Sequence, residues 1–371
     1  VIVWFAGGGT GGHLYPGLAI ARALVRVDAS VRPVFIGARR GIERDVLPTT
    51  EFAHLLLDLH PLYRARPWEN WKTALGFTGA WRALGRELHT ARPALVLGTG
   101  GYASGAALAY AVSHGVPIAL QEQNSVPGLT TRWFSRYARE IYLGYGDAAV
   151  RLRANTGAWV GETGNPIEPP PEPRPSRQDA RVRWSFPATG GTVVLVIGGS
   201  QGARAVNEAV AEWVRWGVPD DVMLIWGTGR GSHTRYASLE SPRVRVVPYL
   251  APIAEAYAAS DLAVSRAGAL TLAELSAWNI PAILIPLPTA AADHQSANAR
   301  VLQDAGAAIL LEERALAPGD LGQQVQALAA DRARLHRMAV ASEAHEHPRA
   351  ADVIAARMLE LCRTADRRSV R

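Results

Sequence analysis

The sequence has a single cysteine, Cys362, so no disulfide can close within the chain and no cysteine cluster can hold zinc or iron, which fits a reducing cytoplasm. Long apolar runs are missing too. The best stretch, Ala106 to Leu120, is broken by Ser113, His114 and Pro117, short of the roughly eighteen uninterrupted residues that a membrane-spanning helix needs. Attachment to a membrane surface stays open. The signatures HExxH and GxxxxGK[ST] are also absent, which argues against a zinc protease and a P-loop nucleotide hydrolase.

The composition is that of a soluble globular protein. Hydrophobic residues at 48% against 19% charged supply a large core, and 371 residues exceed the size at which one core stops growing, so two domains are expected. The net charge of +6 is carried almost wholly by arginine. It suits nucleic acid, an anionic membrane or a phosphate-rich substrate and does not choose among them.

The chain is organised around Gly7 to His13. An apolar run, Val1 to Phe5, leads into this glycine turn, and Leu18, Ile20, Ala21 and Leu24 follow at helical spacing. A strand, a glycine turn and a helix form a phosphate cradle, because the backbone comes close to an anion and the helix start offers free N–H groups. Gly7, Gly9 and Gly12 also satisfy the GxGxxG spacing of dinucleotide sites, a lone match of low specificity. The pattern recurs half a chain later, where Thr192 to Ile197 precedes Gly198, Gly199 and Gly202. Two similar α/β domains with a cleft between them are the simplest account.

Other segments fall into the same alternation. The strand Ala94 to Leu97 ends in Gly98-Thr99-Gly100-Gly101-Tyr102, and Val116 to Leu120 ends in Gln121-Glu122-Gln123-Asn124. Both lie where crevice residues of a doubly wound sheet belong, although the glycines would equally serve close packing and the polar run a plain loop. Between them and the start, Pro61 to His89 interleaves Trp68, Trp71, Leu75, Phe77, Trp81 and Leu84 with arginines and Lys72, a pattern of a membrane-docking face or of core packing under a solvated basic face. Prolines between Ile167 and Ser176 mark a stiff connector, giving domains 1–165 and 166–345, with a tail helix over 346–371 packing back on the first domain.

His13 closes the first glycine turn at a helix start, where the dipole favours a neutral imidazole able to act as a base; a capping or core histidine is the alternative. Glu274, on the helix after Ser265 to Thr271, stands where an acidic residue can take ribose hydroxyls, or is an ordinary first-turn glutamate.

Together, GGTGGH with the following LYPGLAIA, GTGGYASG, LQEQNSVPGLT, TGNP, GGSQGA followed by Asn207, SRAGALTLAE and DHQSANA, in order from Phe5 to about Ala307, resemble the MurG family of glycosyltransferases of peptidoglycan synthesis. The resemblance implies the GT-B fold of two Rossmann-like α/β domains. It implies inverting transfer of N-acetylglucosamine from UDP-N-acetylglucosamine to the 4-hydroxyl of undecaprenyl-diphospho-N-acetylmuramoyl pentapeptide, with no metal or other cofactor. Its implied catalytic residues are His13 and Glu122. For the donor it points to Thr10, Gly12, Asn124, Ser200, Gln201, Leu250, Ala269, Leu270, Glu274, His294, Gln295 and Asn298. For the acceptor it points to Gly8, Gly9, Gly11, His13, Gly100, Gly101 and Tyr102, and for the membrane surface to Trp68, Trp71, Phe77 and Trp81. Implied partners are the two substrates, an anionic membrane surface on the cytoplasmic side of the inner membrane, and other cell-wall and division proteins, with no nucleic acid.

Two positions depart from the family. Gln121 stands where histidine is usual and cannot titrate near neutral pH, and Glu168 stands where an arginine often faces the diphosphate, which an anion would repel. Three other readings share parts of the pattern: a UDP-sugar transferase for another acceptor, a UDP-N-acetylglucosamine 2-epimerase, and a nucleotide-sugar sensor without activity. UDP release with and without the lipid acceptor separates them.

Overall fold

The computed structural model describes residues 1–60, 68, 70–198, 203–345 and 347–369. The chain divides into two units, Val1–Glu168 with Arg349 onward, and Pro169–Pro348. Each is an α/β layer structure built on one parallel sheet.

The first unit has seven strands: β1 (Ile2–Gly7), β2 (Arg32–Ala38), β3 (Ala53–Leu57), β4 (Leu95–Gly100), β5 (Ile118–Glu122), β6 (Glu140–Leu143) and β7 (Trp159–Glu162). All pair in parallel, in the order β3-β2-β1-β4-β5-β6-β7. The continuous apolar run of β1 has a simple cause: both faces of the sheet are covered, so alternate side chains enter two different cores. Val3 and Phe5 join Leu18, Leu24, Ile354 and Met358 on one face, while Trp4 and Ala6 join Leu84, Ala107 and Leu108 on the other.

The first face is closed by two helices that are far apart in sequence, Gly11–Val27 and Ala350–Ser369. Arg26 donates to Asp352 at 2.8 Å, and Arg357 donates to both oxygens of Glu140 at 2.9 and 3.1 Å while lying 3.6 Å from the centre of the Trp159 ring. An apolar stripe docked by a stacked arginine explains why the tail returns to this unit.

The second unit has six strands, β8 (Thr192–Ile197), β9 (Val222–Gly227), β10 (Val244–Val247), β11 (Leu262–Ser265), β12 (Ala282–Leu284) and β13 (Ala308–Leu310), parallel in the order β10-β9-β8-β11-β12-β13. No strand or helix occurs between β7 and the helix Arg177–Arg183, in keeping with the proline-rich composition there. That helix starts on Ser176, whose hydroxyl accepts from the Asp179 N–H at 3.1 Å.

Sequence patterning did not single out β3, β6, β7 or β13. They are three to five residues long, and β3 and β7 are partly exposed edges, so neither run length nor alternation marks them.

The helix Arg177–Arg183 is fixed to the sheet by a buried ion pair. Asp261 accepts from the buried Arg181 guanidinium, from Arg177 at 3.0 Å and from the Val193 N–H at 2.8 Å. Removing one partner of such a pair strands the other charge, so Asp261→Ala should cost about 3–5 kcal/mol. Urea denaturation followed by tryptophan fluorescence would measure it; a loss below about 1 kcal/mol would mean that water reaches Arg181.

Candidate active site

In the first sheet the chain leaves β1 toward β2 on one side and β4 toward β5 on the other, so the loops after β1 and β4 open at the switch point, where doubly wound sheets hold ligands. The structure brings these two glycine loops into contact. A Cβ on Gly101, which has φ of +75°, would lie 2.1 Å from the Gly8 carbonyl oxygen, and one on Gly100 would lie 2.8 Å from the His13 ring. Only glycine fits such an approach. His13 sits in the first turn of the helix Gly11–Val27, its Nδ1 3.1 Å from Thr10 Oγ1, and its carbonyl accepts from the buried Thr99 hydroxyl at 2.7 Å. Tyr102 opens the next helix, with its ring 2.9 Å from where a Gly9 Cβ would be.

Neither helix start carries a side-chain cap: Thr10 makes no cap hydrogen bond and the other cap is Gly101. The His13 N–H bonds to the Thr10 carbonyl at 3.2 Å, and no side chain caps the Gly11 and Gly12 amides, where the helix dipole favours an anion.

The polar run after β5 is inward. Gln121 has no exposed surface; it donates to Asn165 at 3.4 Å and accepts from Gln123, which also donates to the Thr99 carbonyl at 2.8 Å. The residue where the family has histidine is here a buried amide in a structural network. Glu122 is buried as well. Its carboxylate accepts from the Asn124 N–H at 3.2 Å, the Asn124 side chain at 3.3 Å, the Gly128 N–H at 3.0 Å and the Thr131 hydroxyl, and burial nevertheless pushes its pKa up. Through these bonds Glu122 holds the 123–131 segment against the end of β5.

In the second sheet the corresponding switch point lies after β8 and β11. A cavity of about 590 Å³ opens there, lined by Gly198, Ala203, Arg204, Gly268, Thr271 and Gln295. The helices Arg204–Trp216 and Ala269–Ala277 start at Ala203 and Gly268, again without side-chain caps. Ser200 and Gln201 lie outside the described residues. Gln295 accepts from the Leu287 N–H at 2.9 Å and His294 Nδ1 is 2.8 Å from the Ala291 carbonyl oxygen, both held by the loop that precedes them. Asn298 is fully buried and donates to the Ala267 carbonyl at 3.5 Å, which holds the loop before the helix Ala269–Ala277. Leu250 and Ala269 are buried beside this rim, and Leu270 is half-buried.

Glu274 is half-buried and accepts from the Tyr257 hydroxyl at 2.8 Å. Desolvation raises both pKa values, and the proton stays on Tyr257, well above the ordinary phenol range. Glu274 therefore keeps one hydrogen-bonded oxygen and a carboxylate fixed in orientation.

The basic aromatic segment forms the helix Asn70–Thr90. Trp68, Trp71 and Leu75 are exposed at 72%, 59% and 61%, and Phe77 is also exposed. Trp81 corrects the expectation: it is half-buried, edge-on to Tyr110 at 4.8 Å, and belongs to packing more than to the open face. Glu168 does not stand bare either, because its carboxylate pairs with Arg22, which also donates to Glu51 at 3.1 Å. Among the described residues no helix is long and apolar enough to cross a membrane.

Two features escaped the sequence. Arg266 pairs with Glu313 and donates to the Ile285 and Pro286 carbonyls at 3.0 and 3.1 Å, tying the cavity floor together from positions 47 residues apart. Glu43 is wholly buried against the first glycine loop. The only signal for it was a charged turn, Gly37 to Arg44, with glycines on either side.

Residues 3–143 match the N-terminal domain of glycosyltransferase family 28, and residues 193–354 match its C-terminal domain. A protein of Chlorobaculum parvum is 38% identical, with 98% of this chain and 100% of that one covered, and a protein of Moorella thermoacetica is 37% identical, with 95% and 96% covered. Both are named UDP-N-acetylglucosamine–N-acetylmuramyl-(pentapeptide) pyrophosphoryl-undecaprenol N-acetylglucosamine transferase. Among solved structures, MurG of Acinetobacter baumannii superposes with a TM-score of 0.76 at 26% identity over 97% of this chain and 99% of that one. A UDP-N-acetylglucosamine 2-epimerase superposes with a TM-score of 0.64 at 13% identity over 95% of this chain and 94% of the other, a likeness of fold alone. With both domain types in order and relatives alike from end to end, the chain belongs to glycosyltransferase family 28 and, within it, to the MurG family.

Proposed function

We propose that this chain transfers N-acetylglucosamine from UDP-N-acetylglucosamine to the 4-hydroxyl of undecaprenyl-diphospho-N-acetylmuramoyl pentapeptide, inverting the anomeric carbon and releasing UDP. The observation that carries the reading is His13, lodged between two touching glycine loops at the first switch point. The names of the full-length relatives support the substrates.

The chemistry needs one base and one anion site for the leaving group. In the tautomer that donates Nδ1–H to Thr10 Oγ1, 3.1 Å away, the imidazole lone pair is on Nε2, the form the base requires. Nε2 takes the proton as the acceptor oxygen attacks the anomeric carbon, and the bond to the diphosphate breaks with its electron pair leaving on UDP. The uncapped starts of the helices Arg204–Trp216 and Ala269–Ala277 receive the negative charge that develops. Glu274 accepts from the ribose hydroxyls through its ionised carboxylate. On the acceptor side, Gly11, Gly12 and the Gly100–Tyr102 turn hold the lipid diphosphate.

The acceptor is membrane-bound, so the protein works as a peripheral enzyme at the anionic cytoplasmic leaflet. Trp68, Trp71 and Leu75 insert at the headgroup boundary, and Arg39, Arg40 and Arg86, which line a cavity of about 740 Å³ with Trp71 and Leu75, attract anionic lipid.

With a soluble analogue of the lipid acceptor, UDP release should depend on acceptor, and His13→Ala should lower turnover at least about 100-fold. Release that ignores acceptor, or interconversion of hexosamines without UDP release, would sink the assignment. The donor KM should rise as pH falls through the raised pKa of Glu274, starting above the ordinary carboxylate range, because protonation removes the charge and turns one acceptor oxygen into a donor. Glu274→Gln should show a KM about 10-fold higher or more and flat with pH; an unchanged acid limb would assign it to another group. Cosedimentation with phosphatidylglycerol vesicles should weaken by about tenfold in Trp71→Ser/Leu75→Ser, with UDP binding intact. Equal binding of variant and wild type would move the docking face elsewhere.

A further inference from the structure

Glu43 is the first residue of a short helix that follows β2, and its side chain has no exposed surface. Both carboxylate oxygens accept the Gly9 N–H, at 3.0 and 2.9 Å, and Oε1 also accepts the Ala38 N–H at 2.9 Å. The loop after β1 is thereby tied to the end of β2. Three glycines make the room: Cβ atoms on Gly8, Gly37 and Gly41 would lie 2.2, 2.7 and 2.1 Å from atoms of this side chain. Among the described residues its hydrogen-bond donors are these backbone N–H groups and no arginine or lysine pairs with it. A carboxylate this deep is tolerable only with such donors, so the contact is strongly directional.

We propose that Glu43 is a positioning residue for the acceptor: it fixes the loop from Gly8 to Thr10, and so the place of the Gly11–Gly12 amides and His13. This rests on the acceptor-side reading given above. Because the Gly9 N–H is already taken, Gly9 offers no amide to the lipid diphosphate, and the buried negative charge behind it steers a phosphate toward the uncapped helix start at Gly11. Gly9, expected from sequence to hold the diphosphate, shapes the loop instead, its N–H committed to Glu43.

The test is steady-state kinetics of Glu43→Gln and Gly41→Ala with both substrates varied. Glutamine keeps the volume but turns an N–H₂ toward the Gly9 N–H, donor against donor. Alanine at Gly41, whose φ lies outside the left-handed region, pushes the carboxylate aside without neutralising it. Both should raise the acceptor KM about tenfold or more while the donor KM and UDP affinity stay within about twofold. A parallel change in both KM values, a change in kcat alone, or an acceptor KM like that of the wild type would overturn the proposal. Should Glu43→Gln fail to fold, Gly41→Ala decides. Amide hydrogen exchange gives a reading independent of the reaction: peptides covering residues 7–13 should exchange faster in the variants, with those from β8 to β13 unchanged. Unaltered exchange at 7–13 would also overturn it, whereas a wild type without acceptor-dependent UDP release would count against the transferase reading alone.

Discussion

Helix starts without a side-chain cap, gathered at the switch point of each sheet, are the feature on which both sites depend. Each sheet directs two helices from its switch point, and the four caps, Thr10, Gly101, Ala203 and Gly268, supply no side-chain acceptor to them. By comparison the helices at Arg177 and Arg332 start on Ser176 and Asp331, which accept from the backbone three residues on. Leaving amides open costs stability that a bound diphosphate restores, so the sites are built from what the fold withholds. The parallel sheet makes this possible, since every strand ends at the same edge and every following helix begins there.

The carboxylates near these sites follow a second rule. Glu43 and Glu122 are buried and Glu274 half-buried, and each is met mainly by backbone N–H or hydroxyl groups, where a nearby cation would be the usual partner. Such donors hold a carboxylate in one orientation without adding positive charge that would compete for a phosphate. Exposed pairs such as Arg22 with Glu51 and Glu168 have the opposite character, with high local dielectric and little energy at stake.

The central strands and both glycine turns were legible in the sequence because their causes are local. A buried parallel strand needs a continuous apolar run, and the positive φ and close approach at Gly100 and Gly101 need glycine. The edge strands β3 and β7 were not legible, since a few half-exposed residues give no period to detect. Trp81 shows the same limit from the other side: helical spacing places it on the aromatic face, and only its neighbour Tyr110, from another helix, draws it inward.

By itself the sequence determined that there would be two doubly wound parallel-sheet units, where their glycine turns fall, that His13 follows the first of them, and the family to which the order of motifs belongs. The tertiary structure alone decided which polar residues meet. Gln121 could have faced a ligand until β5 placed it beside Asn165, and Glu43 was one charge in a charged turn until β1 and β2 ended side by side and brought Gly9 to it. Spacing along the chain encodes backbone conformation, whereas a hydrogen bond between residues 34 positions apart depends on the packing of the whole sheet.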